Sequence, residues 1–450
     1  MPSYRILAAA FLLVLSTAYA GNDKLDKDDV LQWNRQMAMT VQLAGNPGSF
    51  SSPHRSAVLM SGAIYDAVNA IKDKFEPFIV KPSSIPSNIR RNQADAQAAA
   101  TEAAYTILTK LYPGSATSES VLTYHNTLRE MQLAKIPDGI SKTEGIELGA
   151  YVANAILQNR STDGWPPAFS QAPNCSTGGT ACAGKYMYGF SYYYPTSGGR
   201  IPDTGYSDQV KPFTLASCDV TTSVVPPPLA FNHPSFYADW HELWGYGTSS
   251  IANNTMTPAK SEMAMFHQSV SNWGMYSDLA SFLSYPEFKN LDGIDLVRSV
   301  LLITLSTADS HLCHLWLKWH YLNWRPSVAY RNLINTPTGI PALDALYDPN
   351  WTPVLSITPD AEYPSGHAAR TVPYFYMLKK LFGDYHHFTA TATTRPGMPQ
   401  REYTSYSSYA AESGESRIIA GSHWRFSVTE GKNLGEWMAE RVYNNFLRRK

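Results

Sequence analysis

Between Asp292 and Trp324 the sequence reads as one long apolar helix. A chain that must bury so long an element is constrained to a helical architecture. Shorter stretches repeat the same period. Ala57, Met60, Ala63, Ile64, Ala67, Val68 and Ile71 recur at steps of three and four over residues 54–72. Residues 92–111 are rich in alanine, the strongest helix former. Ile146, Ala150, Ala153, Ile156 and Leu157 form another stripe, and so do Leu434, Trp437, Met438, Val442 and Phe446. Strand-like alternation is scarce. The reading is an all-α fold, and 450 residues suit one large domain or two helical bundles sharing a core.

The first twenty residues stand apart. Arg5 precedes an apolar run from Ile6 to Leu15, and Ala18-Tyr19-Ala20 offers a small-x-small cleavage site. This is the layout of a signal peptide, and it predicts a secreted or periplasmic protein. No stable membrane span is expected beyond it, because the run Val300 to Ala308 is soon broken by Asp309 and His311. An N-terminal helical region is expected over 21–159 and a C-terminal one over 231–450. Between them, residues 160–230 are rich in Gly, Pro, Ser and Tyr. They read as a long ordered loop, either the wall of an active-site channel or a packing arm.

Export places the four cysteines in an oxidising compartment. Cys175 and Cys182 lie close enough to staple a local loop. Cys218 and Cys313 form a second candidate bridge, or Cys313 is a buried thiol; four cysteines allow three pairings. The net formal charge of −1, with no basic stripe, argues against nucleic acid as a partner.

Three segments late in the chain carry chemistry. In Lys318-Trp319-His320-Tyr321-Leu322-Asn323-Trp324-Arg325-Pro326, two cations seven apart are expected on one face of a helix that Pro326 ends at about Arg325. In Tyr363-Pro364-Ser365-Gly366-His367, a hydroxyl and backbone N–H groups precede a helical run, Ala368 to Leu381. Such a helix start receives oxyanions well. In Ser416-Arg417 to His423, a further cation and a further histidine follow. Each segment alone has a plainer reading: a solvated pair beside tryptophan, an ordinary N-cap at Ser365, a structural histidine.

Together, Lys-x6-Arg-Pro, Pro-Ser-Gly-His and Ser-Arg-x5-His resemble the signature shared by vanadium-dependent haloperoxidases and phosphatidic-acid-phosphatase-type acid phosphatases. Ile64-Tyr65-Asp66-Ala67-Val68-Asn69, Val210-Lys211-Pro212-Phe213, the stretch Pro226 to Trp240, and Asp309 on the same helix as Lys318 extend the resemblance. Length favours the haloperoxidase branch. The resemblance implies two helical bundles around one buried oxyanion site that binds vanadate as cofactor, with phosphate able to occupy the same place. Lys318, Arg325 and Arg417 would neutralise the oxyanion. Ser365 would donate its hydroxyl and Gly366 its N–H. His423 would be the sole protein ligand of the metal, and His367 the acid–base residue. The implied reaction is oxidation of a halide ion by hydrogen peroxide to hypohalous acid, which passes to a small organic acceptor. A phosphatase working through phospho-His423 is the alternative, and an inactive oxyanion-binding relative a third. Homodimers are common in this family, but no interface is marked here.

Two positions depart from the family pattern. Ser427 stands one helical turn after His423, where relatives commonly carry an aspartate that orients the imidazole. Weaker vanadate affinity is expected, restored by Ser427→Asp. Asp360 stands seven before His367, where haloperoxidases often carry an aromatic or histidine near the halide. A carboxylate there is expected to repel an anion.

Overall fold

The computed structural model describes residues 25–44, 52–113, 119–165, 182–186, 210–247, 255–270, 275–276, 279, 291–355, 360–395 and 397–450. The leader, Cys175 and most of the 160–230 excursion lie outside the described residues. Five helices come first: α1 (Lys27–Leu43), α2 (Ser52–Lys72), α3 (Ala96–Leu111), α4 (Glu119–Ala134) and α5 (Ile140–Asn159). Then follow α6 (Pro234–Trp244), α7 (Pro258–Gln268), α8 (Gly293–Tyr321), α9 (Pro326–Asn332), α10 (Pro341–Asp344), α11 (Gly366–Phe382), α12 (Tyr406–Ile419) and α13 (Arg425–Asn445). The all-α reading holds. Among the described residues a small antiparallel pair, β1 (Tyr385–Ala390) and β2 (Arg401–Ser405), is the exception, and its burial alternates along β1. The pair buries His386 and Phe388 against Tyr406, with Tyr403 stacked on Phe388.

The helix starts follow local chemistry. The Asp26 carboxylate accepts from two N–H groups of α1, and Asp95 accepts from Ala98 at the head of α3. In the stretch Ile64 to Asn69, Asp66 accepts from the N–H groups of Phe78, Ile79 and Val80. Asn69 pairs with the Phe75 backbone in both directions. These residues fasten the chain that leaves α2.

Helix α8 is the shared element. It packs on α2 in an N-terminal bundle of α1–α5 and on α11 and α13 in a C-terminal bundle with α12. By length and composition it could cross a membrane, yet it is buried inside the protein over nearly all of its apolar window. Asp309 on α8 accepts from Phe213 N, Thr214 N and Thr214 Oγ1. One turn on, Cys313 is bonded to Cys218. The segment that returns from the excursion is therefore tied twice to α8. Cys182 is disulfide-bonded too, so the free-thiol reading of Cys313 is set aside.

Helix α8 stops at Tyr321, four residues short of expectation. Leu322 adopts a left-handed conformation with φ of 50° and caps the helix. Beyond it the backbone pairs with the excursion: Tyr186 N donates to Leu322 O, and Trp324 N to Gly184 O. Lys318 and Arg325 therefore do not share one helical face. Arg325 is instead the N-cap residue of α9. Pro326 sits at the first position of α9, where a missing N–H costs nothing.

Around this reversal lies an aromatic core. Trp240 stacks on Trp424 at 5.0 Å and meets Trp324 and Tyr330 edge-on. The Tyr321 and Tyr363 hydroxyls donate to the carbonyls of Val225 and Pro226, fixing the triple-proline stretch over it. Helix α13 approaches the start of α11 closely at Gly431, where a Cβ would lie 2.6 Å from Ser365 O. Ser310 Oγ donates to Ala369 O, holding α8 to the same turn of α11.

Candidate oxyanion site

All seven residues singled out from the sequence meet where α8, α11 and the α12–α13 turn converge. The backbone N–H groups of Ser422 and His423 both donate to Arg417 O, so the chain folds back and sets His423 beside Arg417. Arg325 bridges the two motifs: its Nη1 donates to Ser422 O and to His423 Nε2, each at 3.0 Å. Lys318, Arg325 and Arg417 are all buried. Burial pushes Lys318 below the usual ammonium range. It takes Arg417 down to about 9, helped by the like charges of Arg370 and Arg325.

The geometry fixes the protonation of His423. A guanidinium has only donors, so Nε2 must accept and carries a lone pair. The ring proton therefore sits on Nδ1, which donates to Glu362 Oε1 at 2.7 Å. Burial, then the cations Arg325, Lys318 and Arg417, hold this imidazole neutral, well below its ordinary range. Glu362 also accepts from Trp424 N and Asn323 Nδ2. Burial pushes its carboxyl up, while Arg325 and Lys318 pull it down.

Glu362 corrects the reading of Ser427. The carboxylate behind His423 is present, but it comes from the segment before Ser365 rather than from one turn after His423. Ser427 Oγ lies 3.5 Å from Nδ1 and plays a lesser part. An aspartate at 427 would bring a second buried carboxylate to Glu362. The expected gain in affinity from Ser427→Asp is therefore reversed. No sequence signal separated Glu362 from any other acid near a motif.

Asp360 also departs from expectation. Its carboxylate does not stand apart in halide space. It binds Arg325 Nη2 at 2.7 Å and Lys318 Nζ at 3.2 Å.

The other side of the site is open. Ser365 is the N-cap residue of α11, yet its hydroxyl makes no capping bond and is buried without a partner. Arg417 Nη2 donates to Ser422 Oγ, but its Nε and Nη1 are buried without partners. A Cβ on Gly366 would lie 2.7 Å from His314 Nε2, so any other residue there would displace that ring. Buried donors with nothing to donate to are costly, and an oxyanion would satisfy them together with the N-terminus of α11. Among the described residues no group of three metal-ligating side chains occurs. A tetrahedral oxyanion held by cations, with one histidine lone pair toward its central atom, fits this donor set.

His367, in the first turn of α11, accepts at Nε2 from Arg370 Nη2 at 3.0 Å. Burial, Arg370 and Arg417 keep it neutral. Arg370 and His367 line a narrow cleft of about 10 Å³ together with His267, Met275, Tyr409 and Ser413. Arg370 was not anticipated. Nor was the run of buried histidines behind Gly366: His314, His311 and His54, with ring centroids 4.9 and 4.1 Å apart, ending at Tyr276.

Residues 298–449 match the family model of the VCPO second helical-bundle domain. The fold is that of the vanadium-dependent haloperoxidases. A bacterial vanadium-dependent iodoperoxidase superposes with a TM-score of 0.74 at 18% identity, over 96% of this chain and 99% of that one. The apo form of a bacterial vanadium-dependent chloroperoxidase gives 0.63 at 13% identity, over 88% and 93% of the two chains. The holo form gives 0.63 at 14%, over 88% and 92%. Comparison with curated proteins finds no sequence match.

Proposed function

We propose that this chain is a vanadate-dependent haloperoxidase that uses hydrogen peroxide to oxidise a halide ion, with a small organic molecule as final acceptor. The observation that carries the reading is the His423 tautomer: Glu362 holds the proton on Nδ1, and Nε2 keeps a lone pair turned to the buried Arg325. Lys318, Arg325 and Arg417 would neutralise the oxyanion, Ser365 Oγ and Gly366 N–H would donate to it, and His423 Nε2 would be its protein ligand. Bound vanadate supplies Lewis-acid activation of peroxide without changing oxidation state. The Arg325–His423 hydrogen bond would be given up on binding, which would free Nε2 as a ligand and Arg325 Nη1 as a donor. His367, neutral and beside the cleft, would take up and return the proton at Nε2 once that nitrogen gives up its hydrogen bond from Arg370 Nη2. The leader-like first twenty residues and the Cys218–Cys313 bridge support an exported protein.

The same lone pair at His423 Nε2 is what a phospho-histidine nucleophile needs, so ester hydrolysis is the second reading. The test strips the mature protein of oxyanion. It then measures bromination of a phenolic dye with peroxide, with and without orthovanadate, beside hydrolysis of a chromogenic phosphate ester. Bromination that requires vanadate, and falls at least about 100-fold in His423→Ala, is expected. Bromination that persists without vanadate or without His423 sinks the reading. Ester hydrolysis alone, inhibited by vanadate, moves the chain to the phosphatase branch.

A further inference from the structure

The cations of the site divide into two kinds when their donors are counted. An ammonium has three donors and a guanidinium five. Lys318 Nζ gives its three to Ala361 O, Glu362 O and Asp360 Oδ2. Arg325 gives Nε to Asp360 O, Nη1 to Ser422 O and His423 Nε2, and Nη2 to Asp360 Oδ1 and Ala361 O. Neither has a donor left. Arg417 and Ser365 keep three buried polar atoms unpartnered between them: Nε, Nη1 and Oγ. One half of the cradle is closed by the protein's own acceptors, and the other half is open.

We propose that Asp360 is a built-in competitor of the oxyanion, its carboxylate occupying the Lys318–Arg325 half until an incoming tetrahedral dianion displaces it. This rests on the reading that the cradle binds an oxyanion. The two carboxylate oxygens span the two cations as two oxygens of phosphate or vanadate would. The backbone carbonyl contacts remain when the carboxylate leaves, so the cations stay in place to receive the ligand. Displacement of a buried carboxylate favours ligands with enough charge and enough oxygens to replace it. The device therefore selects tetrahedral dianions over monoanions and sets their affinity below what the cations alone would give.

The test is titration calorimetry and thermal unfolding of the mature protein with inorganic phosphate, comparing wild type, Asp360→Asn and Arg417→Met. Asp360→Asn should bind phosphate at least about tenfold more tightly than wild type. It should be less stable without phosphate, and gain more in Tm when phosphate is added. Equal or weaker binding by Asp360→Asn overturns the proposal, as does a stability loss that phosphate does not recover. A crystal of the wild type with phosphate bound gives the second arm. There the Asp360 carboxylate should have left at least one of the two cations; its retention on both overturns the proposal even if the variant does not fold. If Arg417→Met loses binding while Asp360→Asn matches wild type, this inference fails and the oxyanion reading stands. If no form binds phosphate or vanadate, both fail; binding in Asp360→Asn alone is the strongest form of the expected result.

Discussion

The two bundles handle buried charge in opposite ways. In the N-terminal bundle Asp29 and Glu144, both buried carboxylates, each meet a cation that reaches in from solvent. Asp29 is 1% exposed and its partner Lys135 is 51% exposed; Glu144 and Arg90 stand at 5% and 52%. In the C-terminal bundle the cations themselves are buried. Lys318 and Arg325 are 2% and 5% exposed, Arg417 is 4%, and all three crowd one place. Pairs of the first kind clamp helices at modest net gain. Gathering like charges in a dry interior costs stability, and an arrangement of that kind makes physical sense when an anion completes it. The difference separates the part of the molecule built to be stable from the part built to receive a ligand.

The largest expected break comes from acid. His311, His314, His367 and His423 are all held neutral below their ordinary 6.5, chiefly by burial. The unfolded chain takes up those protons below that value and the folded chain does not. Stability is therefore full above about pH 6.5 and lost as pH falls, by up to about 1.4 kcal/mol per pH unit for each histidine. Asp66, pushed up to about 6 by burial, works in the other direction and offsets part of this. Calorimetry from pH 7 to 5 should show a steeply falling Tm with uptake of several protons. A flat Tm would mean that these imidazoles are not buried as described.

The next effect has opposite signs in the two bundles. Arg417→Met replaces a buried cation with two idle nitrogens by an apolar chain, and should stabilise the oxyanion-free protein by about 1–3 kcal/mol. Lys135→Met strands the buried Asp29 carboxylate and should destabilise by roughly 1–2 kcal/mol. Denaturant unfolding of the two variants decides it: the same sign in both removes the contrast. Smallest is Ser427→Asp, which sets a carboxylate beside Glu362. Phosphate affinity, read by calorimetry, should weaken by about threefold to tenfold. Tighter binding would return the orienting role to position 427.

Much of the fold was legible, and for local reasons. Residues 54–72 and 92–111 became α2 and α3, and the stripe through Ile156 became α5, because period and propensity act within one turn. Asp292 opened α8 as read. The end of α8 was not legible. Pro326 is a strong stop signal, but the pairing of Leu322–Trp324 with residues 184–186 ended the helix first. The β1–β2 pair was missed because its alternation covers only a few residues of Tyr385–Ala390.

The sequence by itself determined which chemical groups could form the site and in what order they arrive: Lys318 and Arg325, then Ser365, Gly366 and His367, then Arg417 and His423. Such short motifs carry their own local geometry, a helix start or a tight turn. Only the tertiary structure decided what each group does. It aimed the His423 Nδ1–H at Glu362, set Asp360 against Lys318 and Arg325, and left Arg417 Nε and Nη1 and Ser365 Oγ without partners. Those outcomes depend on burial and on contacts between segments tens of residues apart. Hydrogen-bond partners and desolvation exist only once the chain has brought those segments together.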